Sequence, residues 1–272
     1  MRSGYAHVND TKLYYELHGA ASKPGLVLIH GFTLDRRMWD DQVAAFSEQY
    51  SVLRYDMRGF GASAVPEPGA PYSHTEDLKA LLDHLGIPRA HILGLSLGAA
   101  VAIELAFAYP HVVSSLVAVD PVLWGYSWSK EYEFGHVWAA SRERGIEAAR
   151  ALWLAHPLFA PTLDREPAAS NLKKIVGEYS GWHWANRDPG TLPEPLAITH
   201  LERITAPTLA IIGERDLPDH HAIAGTLSSH IPDARLVVLP RAGHMSNMEV
   251  PEEFNGEVLS FLETLNNSNE SR

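Results

Sequence analysis

Six short runs of contiguous, mostly apolar residues recur along this 272-residue chain, and they restrict its fold more tightly than anything else in it. They are Gly25–His30, Tyr50–Tyr55, Ala90–Gly94, Val113–Val119, Pro207–Gly213 and Ala234–Leu239. A strand with one wet face alternates apolar and polar residues. These runs do not, so they predict strands covered on both faces, as in a parallel sheet. Segments of helical period lie between them, including Met38–Phe46, His74–Leu85 and Leu97–Tyr109. Strand and helix in alternation predict an α/β fold, a mostly parallel, doubly wound sheet with helices on both faces. Ahead of the first run, Tyr5–Val8 and Lys12–Leu17 flank Asn9-Asp10, which reads as an N-terminal antiparallel hairpin.

The alternation stops between residues 122 and 203. Six of the seven tryptophans fall there: Trp124, Trp128, Trp138, Trp153, Trp182 and Trp184, accompanied by Tyr126, Tyr132, Phe134, Phe159 and Tyr179. Glu143–Leu154 and Ala168–Tyr179 have helical character, with Pro157, Pro161 and Pro189 as breaks. This stretch is expected to be a helical cap over the strand ends, inserted into a core made of residues 1–121 and 204–272. Large aromatics dominate protein cores generally, so some of these rings must serve the cap's own interior. Their density still points to a ligand, and Trp124, Trp128, Trp138 and Trp153 are the expected cap contribution to a substrate pocket.

Composition removes several classes of function. There is no cysteine, which excludes disulfides, thiolate metal sites and a cysteine nucleophile. The formal charge is −11, from 22 basic and 33 acidic residues, with no basic run, so nucleic acid and anionic membrane surfaces are poor partners. The first residues lack the apolar core of a signal peptide, and no stretch has the roughly 18 apolar residues of a membrane helix. The expectation is a cytoplasmic protein, monomer or homodimer, acting on a small molecule.

The chemistry is written after the strands. Gly94-Leu95-Ser96-Leu97-Gly98 places a G-x-S-x-G pattern between an apolar run and a helix of small residues. A serine hydroxyl must stand out at a strand end, where a base and a substrate carbonyl can both reach it, and that takes a sharp strand-to-helix turn. Glycine on either side lets backbone approach where a Cβ would clash. The pattern alone turns up by chance in roughly one chain in ten of this length; its position after a strand is what makes Ser96 a candidate nucleophile.

His244 follows the Ala234–Leu239 run in Ala242-Gly243-His244-Met245, and Asp216 follows the Pro207–Gly213 run in Gly213-Glu214-Arg215-Asp216. An imidazole titrates near neutrality and can take the serine proton, and a carboxylate can hold it in the right tautomer. Asp219 and Asp120 are rival acids. His30-Gly31-Phe32 ends the first run, where the amides of Phe32 and Leu97 would make an oxyanion hole and Gly31 would permit the turn. His30 itself reads as a structural hydrogen-bonding residue. The side chains of Phe32 and Met245 complete the expected pocket.

These motifs, with Asp56–Ser63 read as a structural turn, resemble those of the α/β-hydrolase superfamily along nearly the whole chain. Arg36–Asp40, Leu53–Ser63 and His244–Asn255 look most like the 3-oxoadipate enol-lactonase branch and its neighbouring esterases. The resemblance implies the α/β-hydrolase fold and a Ser96–His244–Asp216 triad that cleaves carboxylic esters through an acyl-enzyme, with no metal and no organic cofactor. A lactonase would use the same residues on a cyclic ester. A carbon–carbon hydrolase would turn Arg142, Arg144 or Arg187 inward to grip a carboxylate, and a perhydrolase would use peroxide in place of water. A ligand receptor on the same fold is the non-enzymatic alternative.

Overall fold

In the computed structural model, which describes residues 1–129 and 134–270 (the last four by backbone alone), the apolar runs become neighbours in one sheet. Strands β1 (Arg2–Val8) and β2 (Thr11–His18) form the hairpin, turned at Asn9 and Asp10 with φ of 45° and 56°, the left-handed pair that a two-residue hairpin loop requires. Then come β3 (Gly25–Ile29), β4 (Ser51–Tyr55), β5 (Ala90–Leu95), β6 (Val113–Val119), β7 (Thr208–Gly213) and β8 (Ala234–Leu239). The spatial order is β1-β2-β4-β3-β5-β6-β7-β8, antiparallel at β1–β2 and β2–β4 and parallel elsewhere. This is the α/β-hydrolase fold, a mostly parallel sheet extended at one edge by an antiparallel hairpin.

Burial explains the contiguous apolar runs. Every residue of β5 and β7 is buried, as are four of the five in β3. On the two faces lie α1 (Asp40–Ser47), α2 (His74–Leu85), α3 (Leu97–Ala108), α9 (Pro218–His230) and α11 (Pro251–Glu270), numbered in chain order around the insert described next. One strand departs from expectation. The run Ala234–Leu239 predicts coverage on both faces, yet β8 is the sheet's edge, with Leu236 and Val238 exposed and only Leu239 buried. A lone run cannot report its place in the sheet, and an edge strand loses one row of neighbours.

Between β6 and β7 the described chain has no strand of its own. It holds α4 (Gly135–Arg144), α5 (Ile146–Leu154), α6 (Ala160–Leu163), α7 (Ala168–Glu178) and α8 (Trp182–Ala185), while α10 (Ser246–Glu249) lies later, beyond β8. The helix expected over Glu143–Leu154 is two helices, parted at Gly145, whose φ of 87° no other residue adopts readily. Tyr132 lies outside the described residues. Trp184 and Trp153 are buried and the other four tryptophans of this stretch are partly exposed. Buried side-chain hydrogen bonds tie the insert to the loops at the strand ends. Trp153 Nε1 donates to Thr33 Oγ1 at 2.8 Å, and Thr162 Oγ1 donates to Glu249 Oε1 at 2.7 Å. No helix among the described residues is long and apolar enough to cross a membrane.

A third tie is ionisable. Glu104, on α3 and 1% exposed, accepts the Ala197 N–H with both oxygens, at 3.0 and 3.1 Å. Burial pushes its carboxyl up to about 7, against which the Ala197 hydrogen bond is the smaller, lowering influence. A carboxyl raised on folding stabilises fully below its unfolded value of 4.5, and that contribution is lost as pH rises through about 7. The Glu104→Gln variant is therefore expected to lose less stability than the parent between pH 5 and pH 8, by up to roughly 3 kcal/mol. Urea unfolding at the two pH values measures this, and identical pH dependence in the two proteins would refute it.

Candidate active site

The carboxyl ends of β5, β6 and β7 are laced to one another. Ser96 N–H donates to Val119 O at 3.0 Å, and Asp120 N–H donates to Ile211 O at 2.8 Å. Open α/β sheets bind ligands at this edge. Ser96 stands at its centre, between β5 and α3, with φ 56° and ψ −113°. That conformation costs a β-carbon-bearing residue about 1–3 kcal/mol and persists only where the surroundings impose it. Here a Cβ added at Gly94 would lie 2.1 Å from Gly98 O, and one at Gly98 would lie 2.2 Å from Ile29 O. Only glycine lets α3 start so close to β5 and β3. The bend then leaves the serine at the cavity wall.

The loops that carry His244 and Asp216 are fastened to each other by backbone. Arg215 N–H donates to Ala242 O at 2.7 Å, and a Cβ at Gly213 would meet Gly243 O at 2.1 Å. The side chains then meet: His244 Nδ1 lies 2.9 Å from Asp216 Oδ2, with side-chain exposures of 2% and 0%. With Nδ1–H donating to the carboxylate, Nε2 is the atom left to accept a proton. Asp216 Oδ1 accepts from Leu217 N–H at 2.7 Å.

The two rival acids are engaged elsewhere. Asp219 Oδ1 accepts from Ser129 N–H at 3.1 Å. Asp120, fully buried with φ 42°, accepts Gly213 N–H at 2.8 Å and the Ser246 hydroxyl at 2.6 Å. It fastens the end of β7 to the residue two beyond His244 and so positions that loop. Glu249 does the same from the other side, accepting Gly243 N–H at 2.6 Å and Met245 N–H at 3.2 Å. The sequence gives no direct signal for Glu249; an acid five residues after a histidine is ordinary.

These carboxylates set the imidazole's proton affinity. Burial alone would push His244 down. The Asp216 charge and hydrogen bond, aided by Asp120 and Glu249, outweigh burial and hold it above its ordinary 6.5. Asp216 behaves in the complementary way: burial would raise it, but His244 pulls it below 3.8. Burial and the neighbouring Asp216 charge push Asp120 well up.

His220, which nothing in the sequence singles out, packs its ring 4.4 Å from that of His244. Its Nδ1–H donates to Pro121 O at 3.0 Å, and burial with the His244 charge pushes it down to about 4. Ligand atoms of Asp216, His220 and His244 lie within 4.8 Å of one another, a spacing a metal ion could use. The Asp216–His244 hydrogen bond fixes the imidazole's orientation, and an ion bonded to Nδ1 and Oδ2 would have to break it.

A cavity of about 300 Å³ joins these parts. Ser96, His244, Phe32 and Leu97 line it, so residues read from three separate motifs share one space. Trp128, Trp138, Trp153 and Met245 line it too, as expected, together with Phe134 and Phe159. Trp124 does not. It belongs to a neighbouring chamber, because the turn from Leu123 to Tyr126, through Gly125 at φ 85°, carries it aside. Arg142, Arg144 and Arg187 are exposed and line none of this cavity. His30 is structural in its bonding: Nδ1–H donates to Gly31 O at 2.8 Å and Nε2 accepts Met57 N–H at 2.9 Å.

Comparison with known proteins agrees with this architecture. The sequence model of a family described as the alpha/beta hydrolase family matches residues 26–257. The 3-oxoadipate enol-lactonase 2 of Acinetobacter baylyi is 30% identical over 268 residues, covering 94% of this chain and 95% of that one. Among solved structures, a hydrolase from Pseudomonas aeruginosa superposes with a TM-score of 0.83 at 34% identity, over 96% of this chain and 98% of that one. The enol-lactonase of Burkholderia xenovorans does so with a TM-score of 0.83 at 29% identity, over 96% and 100%.

The electrostatics generate a test that needs no substrate. Followed by NMR in the free protein, the His244 imidazole should titrate above 6.5, and in Asp216→Asn, where burial is no longer opposed by that charge, below it. A parent value below 6.5, or no change in the variant, would contradict the description.

Proposed function

The chain belongs to the alpha/beta hydrolase family, and on that premise we propose that it cleaves carboxylic esters through a covalent acyl-enzyme, with Ser96 as nucleophile, His244 as general base and Asp216 as its orienting acid. The observation that carries this reading is the buried 2.9 Å His244–Asp216 hydrogen bond, whose histidine lines the same cavity as the strained Ser96.

Ser96 Oγ attacks the ester carbonyl while His244 Nε2 takes its proton. The C=O electrons move to oxygen, where the amides of Phe32 and Leu97 receive the charge. The tetrahedral intermediate collapses, the alcohol leaves with the proton from His244, and the acyl group stays on Ser96. Water then gives its proton to His244, attacks the acyl carbon, and releases the acid and the serine. No step requires a metal or an organic cofactor. Residues 122–203 act as a cap whose rings shape the site. Their apolar lining suits a small or medium apolar or aryl ester. The protein is taken to work in the cytoplasm, as a monomer or homodimer.

A lactonase is the second reading, supported by two relatives named enol-lactonases. Against an anionic lactone stands the cavity itself, which has no lysine or arginine among its described lining residues. Carbon–carbon hydrolysis gains no support from arginines that stay at the surface.

Two measurements test the proposal. Ser96→Ala should lower turnover of p-nitrophenyl butyrate by about 10⁴-fold or more. A fluorophosphonate should label the parent at Ser96. Undiminished turnover in the variant would end the serine mechanism; a parent that binds the probe reversibly without turnover would favour a receptor.

A further inference from the structure

Beside the Ser96 cavity lies a second chamber of about 180 Å³, walled by Phe60, Tyr72, His74, Trp124, His183 and Asp188. The two spaces abut at Phe32 and Leu97, the residues whose amides are proposed to hold the oxyanion. Their linings differ in kind. The second contains His74 Nδ1 and His183 Nε2, both buried and without a hydrogen-bond partner, and Tyr72 Oη beside the Asp188 carboxylate, short of a formed bond. Folded proteins leave few buried polar atoms unsatisfied, so each one asks for a partner that arrives from outside.

The bonding fixes what these atoms offer. Tyr179 Oη accepts from His183 N–H at 3.1 Å and lies 2.7 Å from His183 Nδ1. Nδ1 is the one acceptor seen beside that hydroxyl among the described residues, so the tyrosine proton is assigned to it and the ring hydrogen of His183 to Nε2, as a donor. That nitrogen is 3.9 Å from Asp188 Oδ2, too far for a direct hydrogen bond. The His183 ring is held in place by stacking on Phe60, with centroids 4.4 Å apart and planes 16° apart. Burial pushes His74 down to about 3 and His183 to about 4, so both are neutral at pH 7. The nearby cation Arg58 lies over the Tyr72 ring and is paired with Asp77.

We infer that this chamber is a polar subsite for a neutral hydrogen-bonding group, a hydroxyl or an amide, carried by the substrate at the opposite end from its apolar portion. The group would accept from His183 Nε2–H and donate to the Asp188 carboxylate. A carboxylate in its place would meet Asp188 and no opposing charge among the described lining residues. The inference rests on the ester-hydrolase reading above, and it narrows the substrate to an ester with one apolar arm and one hydroxyl- or amide-bearing arm.

The test compares isosteric esters by pH-stat. Butyl butyrate against 3-hydroxypropyl butyrate probes the alcohol arm, and ethyl hexanoate against ethyl 5-hydroxypentanoate probes the acyl arm. In the parent, one hydroxyl ester should exceed its alkyl isostere in kcat/KM by about tenfold, and its carboxylate counterpart should fall below both. His183→Phe, which keeps a ring for stacking, and Asp188→Ala, at an exposed position, should each reduce that preference about tenfold. Equal rates within both pairs, or a preference unchanged in both variants, would overturn the inference and leave the chamber to water. Should the parent hydrolyse none of the esters, the ester reading fails by itself. The subsite is then read by NMR in Ser96→Ala: 3-hydroxypropyl butyrate should move the His183 imidazole resonance and butyl butyrate should not. Equal shifts from the two esters, or none, would refute it.

Discussion

The left-handed backbone of Ser96 is the constraint from which the site is built. A residue with a side chain does not adopt φ 56° and ψ −113° on its own. It is held there by Ser96 N–H bonding to the end of β6 and by the first turn of α3 pressing on β5 and β3 through Gly94 and Gly98. Those contacts need strands buried on both faces, because a half-buried strand would yield before the serine did. The length and apolar contiguity of the central runs are thus part of the chemistry. The sheet's rigidity holds the hydroxyl at the cavity wall.

The second requirement is a histidine that stays useful when it is buried. Burial disfavours the imidazolium, which a general base must become. The fold answers with three carboxyl groups at graded distances from His244. Asp216 bonds it directly, while Asp120 and Glu249 bond the backbone on either side of it. The outer two therefore do double work, fixing the loop and biasing the field. Glu249 also takes a hydrogen bond from Thr162 in the helical insert, so the histidine loop and the insert share one anchor.

How much of this could be read from the sequence depended on how local each signal was. Strand existence followed from contiguous apolar residues, and Val113–Val119 and Ala234–Leu239 have the expected bounds. Whether a strand lies at the centre or the edge depends on residues far away in the chain, which is why β8 differs. Ser96, Asp216 and His244 could be proposed together because each follows a strand with glycine close by. His220, Asp120 as a loop anchor, and Glu249 were not legible, since each acts through partners at least one element away. Among the tryptophans only the three-dimensional path separated Trp124 from Trp128; both sit in similar aromatic, glycine- and serine-rich surroundings.

Phe32 shows how specificity can change while the reaction stays the same. Its amide belongs to the proposed oxyanion site, which the fold of β3 and the Gly31 turn determine. Its ring lies within 6.0 Å of Phe60, Trp138, Trp153 and His183, centroid to centroid, three of which come from the helical insert. The insert can therefore reshape both chambers by moving that ring, while the amide stays with the sheet. Relatives with different named substrates can keep the same core on this account, with substrate choice falling to aromatic packing above Phe32 and the proposed bond cleavage to the strand ends beneath it.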